Sequence, residues 1–217
     1  MLTPFPVEGT EFFCEGVRMS RSGYVWFDAE FSSLELESAV LLQVAALATD
    51  SMLHPLGEGE ALELAIHLPA QEEVSPWVRE HLGELVERCR SEEAVSLEAA
   101  DAALVAWMER QFGTREEDVQ LRPILAGNSV HNDWLMVRRH LPRFHEGLHY
   151  RLLDVSSFKS VWQAWGDGVA FDKEQLDLLN AYFPGGGITC LKAHDALFDI
   201  QASIAELAYY KEKLGFS

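Results

Sequence analysis

At 217 residues, 48% hydrophobic and 24% charged, the chain can bury an ordinary core and needs neither disulfides nor a metal simply to fold. Its formal charge of −18 excludes tight nonspecific binding of long duplexes, where cationic surface supplies most of the affinity. Cys14, Cys89 and Cys190 are widely spaced. They form neither a zinc pattern nor a disulfide framework, and a reducing cytoplasm is expected. The N-terminus carries no basic-then-apolar signal, and no apolar run reaches the roughly 18 residues of a spanning helix, so no membrane association is expected.

Residues 1–22 read as an irregular, polar lead-in, and 23–217 as one domain. Residues 24–31, rich in aromatic and β-branched side chains, predict a strand. The apolar run 41–49 is ambiguous between strand and helix by periodicity; its length and flanks favour a strand. A third strand is expected over 61–68, which gives an antiparallel meander. Pro76 opens a predicted helix running to Arg88, at the first turn, where its missing donor costs nothing. Residues 96–112 are the clearest helix, with Ser96 at the start and Gly113 at the end. Then follow a short strand at 121–126, a helix at 132–140 ended by Pro142, a strand at 150–155 and a helix at 156–165. Residues 173–182 are assigned to a helix, Pro184-Gly185-Gly186-Gly187 to a flexible loop, and 194–213 to a long closing helix. Strands first and alternating helices and strands afterwards imply an α/β mixed sheet with helices on its faces.

Three acidic features interrupt this pattern. Asp28 and Glu30 stand two apart on the first strand, so both side chains leave the same face. Paired carboxylates repel unless a cation lies between them, and Mg²⁺ or Mn²⁺, hard ions that take oxygen ligands, fit that need. Acid-x-acid triplets are common, and read alone the pair is a strand with a solvent-facing edge. Asp133, near a helix start after Gly127-Asn128-Ser129, reads alone as an acid complementing the helix dipole. His194 and Asp199 open the last helix. Five helical residues rotate about 140°, so the two flank one site only if His194 precedes the helix proper. Asp199 lies between Phe198 and Ile200, an odd place for a surface aspartate. His81, His131, His140, His145 and His149 show no metal spacing and read as ordinary surface or helix histidines. Trp107, Trp162 and Trp165 sit at core spacing.

Taken together these segments match one family in order. Trp26-Phe27-Asp28-Ala29-Glu30-Phe31-Ser32-Ser33-Leu34, Gly127-Asn128-Ser129-Val130-His131-Asn132-Asp133, His149-Tyr150-Arg151-Leu152-Leu153-Asp154-Val155-Ser156 and His194-Asp195-Ala196-Leu197-Phe198-Asp199-Ile200, followed by Ala205-Glu206-Leu207-Ala208-Tyr209-Tyr210, resemble the oligoribonuclease branch of the DEDDh exonucleases. The resemblance runs from about Tyr24 to Leu214. It departs from the family at Ser32-Ser33, where Thr-Gly is usual, at Phe198, where a second acid is usual, and in the longer stretch between Trp165 and His194.

The resemblance implies a ribonuclease-H-like fold, with an antiparallel meander, then parallel strands, and helices on both faces. It implies a single exonuclease domain over 23–217. It implies a 3′→5′ exoribonuclease that degrades short RNA, down to dinucleotides, to 5′-mononucleotides. In that scheme Asp28, Glu30, Asp133 and Asp199 hold two Mg²⁺ or Mn²⁺ ions roughly 4 Å apart, and His194 takes the attacking water's proton. Leu34 wedges against a base. Tyr150 stacks on one from the partner subunit of a homodimer. Ser129, Arg151 and Ser156 hold the terminal phosphate, and His81 contacts substrate. Read without the family, Tyr150 and Arg151 are a buried strand aromatic and a surface charge. Two alternatives stand: the same chemistry on DNA 3′ ends, and a catalytically silent ribonuclease-H-like interaction module, against which the complete acid set with His194 counts.

Overall fold

The computed structural model describes residues 23–166, 169–188 and 195–215. The expected lead-in 1–22 therefore lies outside the described residues, as do Cys14, Cys190 and His194. The described strands are β1 (Tyr24–Phe31), β2 (Leu41–Thr49), β3 (Leu62–Ala65), β4 (Ile124–Gly127) and β5 (Leu152–Asp154), in sheet order β3-β2-β1-β4-β5. The first three pair antiparallel; β4 joins β1 in parallel and β5 joins β4 in parallel. This is the mixed ribonuclease-H-like sheet expected.

Alternation along the strands sorts the sheet into two cores. Val25, Phe27 and Ala29 of β1 and Val44, Ala46 and Ala48 of β2 pack with Leu104 and Trp107 of α3 (Leu97–Phe112), Met136 and Val137 of α4 (His131–His140) and Phe144 of α5 (Pro142–His145). Trp26, Ala45 and Leu47 face the other way, toward Trp162 of α6 (Val155–Trp165), Leu179 of α7 (Leu176–Tyr182) and Ile200, Ile204 and Tyr210 of α8 (Ala196–Lys213). Asp28 and Glu30 share the parity of Trp26 and so point to the α8 face. A smaller cluster around Leu42, Leu68 and Val78 lies under α1 (Pro76–His81) and α2 (Gly83–Cys89).

Several boundaries differ from the sequence reading, each for a local reason. The single helix expected to Arg88 is two, broken at Leu82 (φ −121°, ψ 27°) before Gly83. β4 starts at Ile124, because Pro123 has no N–H to give a ladder and residues 119–121 form a 3₁₀ turn capped by Asp118. β5 stops at Asp154, whose side chain accepts from the Ser156 N–H and starts α6 at once. α7 starts at Leu176, and Lys173 sits in the turn before it. The chain after α7 is tied down: the Asn180 amide donates to the Ile188 carbonyl and accepts from its N–H. Trp165, expected in the core, is 83% exposed, whereas Trp107 and Trp162 are buried as expected. Among the described residues no helix is long and apolar enough to cross a membrane.

Candidate active site

The candidate acids gather toward one end of β1. The strand delivers Asp28 and Glu30 to the α8 face, and the register shifts between Glu30 and Phe31, ending regular pairing with β2 just beyond the second acid. On the neighbouring strand, β4 ends in Gly127. A Cβ there would stand 2.9 Å from the Phe27 carbonyl oxygen, so only glycine lets the two strands approach this closely. The chain then turns through Asn128 and Ser129 into α4. Ser129 has φ +51°, a left-handed conformation uncommon for a non-glycine residue. Its N–H donates to both Asp154 Oδ1 and Ser156 Oγ, each at 3.0 Å, which holds it there. Asp133, buried in the first turn of α4, accepts from the Ala29 N–H at 3.1 Å and so meets β1 between the other two acids. Asp199 comes from the first turn of α8, whose start is capped by Asp195 accepting from the Phe198 N–H.

The four carboxylates sense one another. Burial raises the proton affinity of Asp28 first, and the charges of Asp199 and Glu30 raise it further, to about 8; the Lys173 ammonium pulls the other way. Glu30 is pushed up to about 7 by burial and then by Asp199. Asp133 is raised well above the ordinary range by burial and by Asp28 and Glu30. Anions gathered like this are in want of a cation. Among the described residues no three His, Cys, Asp or Glu side chains are drawn close enough to hold an ion between them. The donor set nevertheless fits one kind of group: carboxylate oxygens alone suit hard divalent cations.

The other candidates divide into groups. Leu34 stands out at 91% exposed, on a turn closed by mutual hydrogen bonds between Ser32 and Val40. Ser129 and Ser156 bring their hydroxyls within 3.3 Å. Tyr150 is 53% exposed, with the Arg151 guanidinium 5.6 Å from its ring centre, so it is not the buried strand aromatic that the residues alone suggest. His81 is exposed and stacks on Trp77 with ring centres 4.5 Å apart. His149, expected at the surface, is buried: it stacks under Tyr150, and its Nδ1 accepts from the Arg151 N–H, setting the backbone that presents both residues.

A polar network beneath the turn between β4 and α4 escaped the sequence reading. Glu206, fully buried on α8, accepts from the Tyr210 hydroxyl and from the Asn128 amide, each at 3.1 Å, and pairs with Lys173 at 3.2 Å. The Asn128 amide also donates to Ser203 Oγ, and its oxygen accepts from Ser156 Oγ. Asn128 thus joins α8 to the two serines. The signal for it was Glu206 itself, a carboxylate on the apolar side of an otherwise core-facing helix. An open cleft of about 1090 Å³ at the end of α3, near Arg115 and Leu121, contains none of the candidate residues.

Residues 25–207 match the RNase T exonuclease family. The oligoribonuclease of Corynebacterium glutamicum (strain R) is 36% identical over 192 residues, covering 86% of this chain and 77% of that protein. The oligoribonuclease of Francisella tularensis subsp. tularensis (strain WY96-3418) is 30% identical over 198 residues, covering 90% and 97%. Among solved structures, an E. coli exonuclease I complex with single-stranded DNA superposes with a TM-score of 0.64 at 18% identity, and exonuclease I of Methylocaldum szegediense with 0.63 at 20%. Each match covers 88% of this chain and 41% of the other, so the chain spans about two fifths of those structures, and the likeness is one of fold.

Proposed function

Because this chain belongs to the exonuclease family, in its oligoribonuclease branch, we propose that it is a metal-dependent 3′→5′ exoribonuclease that hydrolyses short single-stranded RNA, down to dinucleotides, to 5′-mononucleotides. What supports this reading is that Asp28 and Glu30 leave one face of β1, that Asp133 accepts from the Ala29 N–H between them, and that Asp199 lies near enough to raise the proton affinity of both strand acids. Asp28, Glu30, Asp133 and Asp199 would hold two divalent cations, Mg²⁺ or Mn²⁺, which would supply an activated water and charge stabilisation for the departing 3′ oxygen.

His194 takes the proton of the attacking water at a ring nitrogen, a task suited to a group whose ordinary pKa is near 6.5. Leu34, projecting into solvent, wedges against a base. Tyr150 of a partner subunit in a homodimer stacks on another, and the Arg151 fork, with the hydroxyls of Ser129 and Ser156, holds the terminal phosphate. His81, on its Trp77 platform, contacts the substrate. The acidic surface restricts the enzyme to short strands held locally, and the cytoplasm is its proposed compartment.

The test is hydrolysis of labelled dinucleotide, ten-nucleotide RNA and single-stranded DNA, with Mn²⁺ and with chelator. Fast, chelator-sensitive dinucleotide cleavage is expected. Cleavage of DNA alone, or none by folded protein, contradicts the reading.

A further inference from the structure

The turn that carries Leu34 is fastened at two places. At its base, the Ser32 N–H donates to the Val40 carbonyl, Ser32 Oγ accepts from the Val40 N–H, and the Ser75 N–H donates to the Ser32 carbonyl at 2.8 Å. Within the turn, Ser33 Oγ accepts from the Glu35 N–H, and the Glu35 carbonyl accepts from the N–H groups of Ser38 and Ala39. These bonds shape the turn but do not fix its outer limb relative to the acid cluster.

The second fastening does. Arg139, in the last turn of α4, donates from one guanidinium nitrogen to the carbonyls of both Leu36 and Glu37. Asp133, in the first turn of the same helix, is held to β1 through the Ala29 N–H. Asp133 and Arg139 are six residues, or about 9 Å of rigid helix, apart. One helix therefore sets both an acid of the cluster and the limb beside the most exposed large apolar side chain of the described residues, Leu34.

An exposed Leu held by a free-swinging turn loses part of its binding energy to ordering that turn when ligand arrives. We propose that Arg139 is a positioning residue for Leu34: by tying the outer limb of the 32–40 turn to α4, it pre-sets the distance between the base wedge and the hydrolytic centre without touching substrate. The inference rests on the reading of Leu34 as the base wedge. It implies a specific energetic signature. Arg139 matters for substrate affinity only through Leu34, so the two residues are non-additive. A guanidinium that served only helix α4, through its dipole or its charge, would act equally with or without Leu34.

The experiment measures KM and kcat for dinucleotide hydrolysis in Mn²⁺ for the unsubstituted protein, Leu34→Ala, Arg139→Met and the double variant, with thermal melts of each. Arg139 is exposed, so Arg139→Met is expected to melt within a few degrees of the parent. Arg139→Met should raise KM about fivefold, the equivalent of one ordinary hydrogen bond, with kcat within about twofold. In the Leu34→Ala background the same substitution should change KM by less than about 1.5-fold. An unchanged KM in Arg139→Met, or an equal rise with and without Leu34, overturns the inference while leaving Leu34 as the wedge. An unchanged KM in Leu34→Ala overturns the wedge reading and this inference with it.

Discussion

On the face of β1 that meets α3, α4 and α5, Phe27 is fully buried with its ring stacked 5.7 Å from that of Phe144. One residue on, on the opposite face, Asp28 is held among Glu30, Asp133 and Asp199 with its proton affinity raised. The same strand thus buries one side chain to its advantage and gathers others to its cost. Apolar burial stabilises the fold wherever it occurs, whereas clustered carboxylates destabilise it until a cation arrives. In this account the first face is there to fold, and the second stores repulsion that metal binding relieves.

Substitution on each face should therefore have opposite signs. Phe27→Ala removes a stacked core ring and should lower stability by about 3–5 kcal/mol, read as a shift in denaturant midpoint; activity is lost only as the protein unfolds. Asp28→Asn or Asp133→Asn should reduce kcat by about 10³-fold, since a lost metal ligand forfeits several kcal/mol of charge stabilisation. The same Asp28→Asn protein, stripped of metal, should melt above the unsubstituted one by about 2–4 °C for each kcal/mol of repulsion removed.

The pH dependence sharpens the contrast. Folding raises Asp28 from 3.8 to about 8 and Glu30 from 4.5 to about 7. The folded state therefore binds more protons than the unfolded chain. Whatever stability these two groups contribute is complete below about pH 4 and lost as pH rises through 7 and 8. The melting advantage of Asp28→Asn over the unsubstituted protein, both metal-free, should widen from pH 5 to pH 8 and vanish in saturating Mn²⁺. A constant difference across that range would show that repulsion is not the cause.

A smaller effect is expected at the rim. Tyr150→Ala, removing an exposed ring proposed to stack on a base, should raise KM about tenfold with kcat nearly unchanged, in line with about 1–3 kcal/mol per stacked base.

Much of this contrast was legible in the sequence. Period-two alternation placed Asp28 and Glu30 on one face, opposite Val25 and Phe27, and Ser96 and Gly113 bounded α3 correctly. The meander and a mixed sheet followed from the order of elements, and the later parallel strands from the family resemblance. What was not legible depends on contacts between distant segments. No local signal tells that Asn128 meets Ser203 and Glu206, 75 and 78 residues away, or that Lys173 reaches the same carboxylate. His149 gave no hint of burial, because the packing that covers it comes from tertiary structure. The break at Leu82 and the exposure of Trp165 were missed for the converse reason: periodicity reports which side chains can share a face, and not where a helix stops needing one.

The claim on which the account rests is that four carboxylates, set far apart along the chain, hold divalent cations together. Calorimetric titration of Mn²⁺ into the metal-free protein at pH 7.5, beside Asp28→Asn and Asp133→Asn, tests it most directly. Two ions per chain are expected in the unsubstituted protein, with loss of at least one in each variant. Mn²⁺ binding that is absent from the folded protein, or identical in all three, would contradict it.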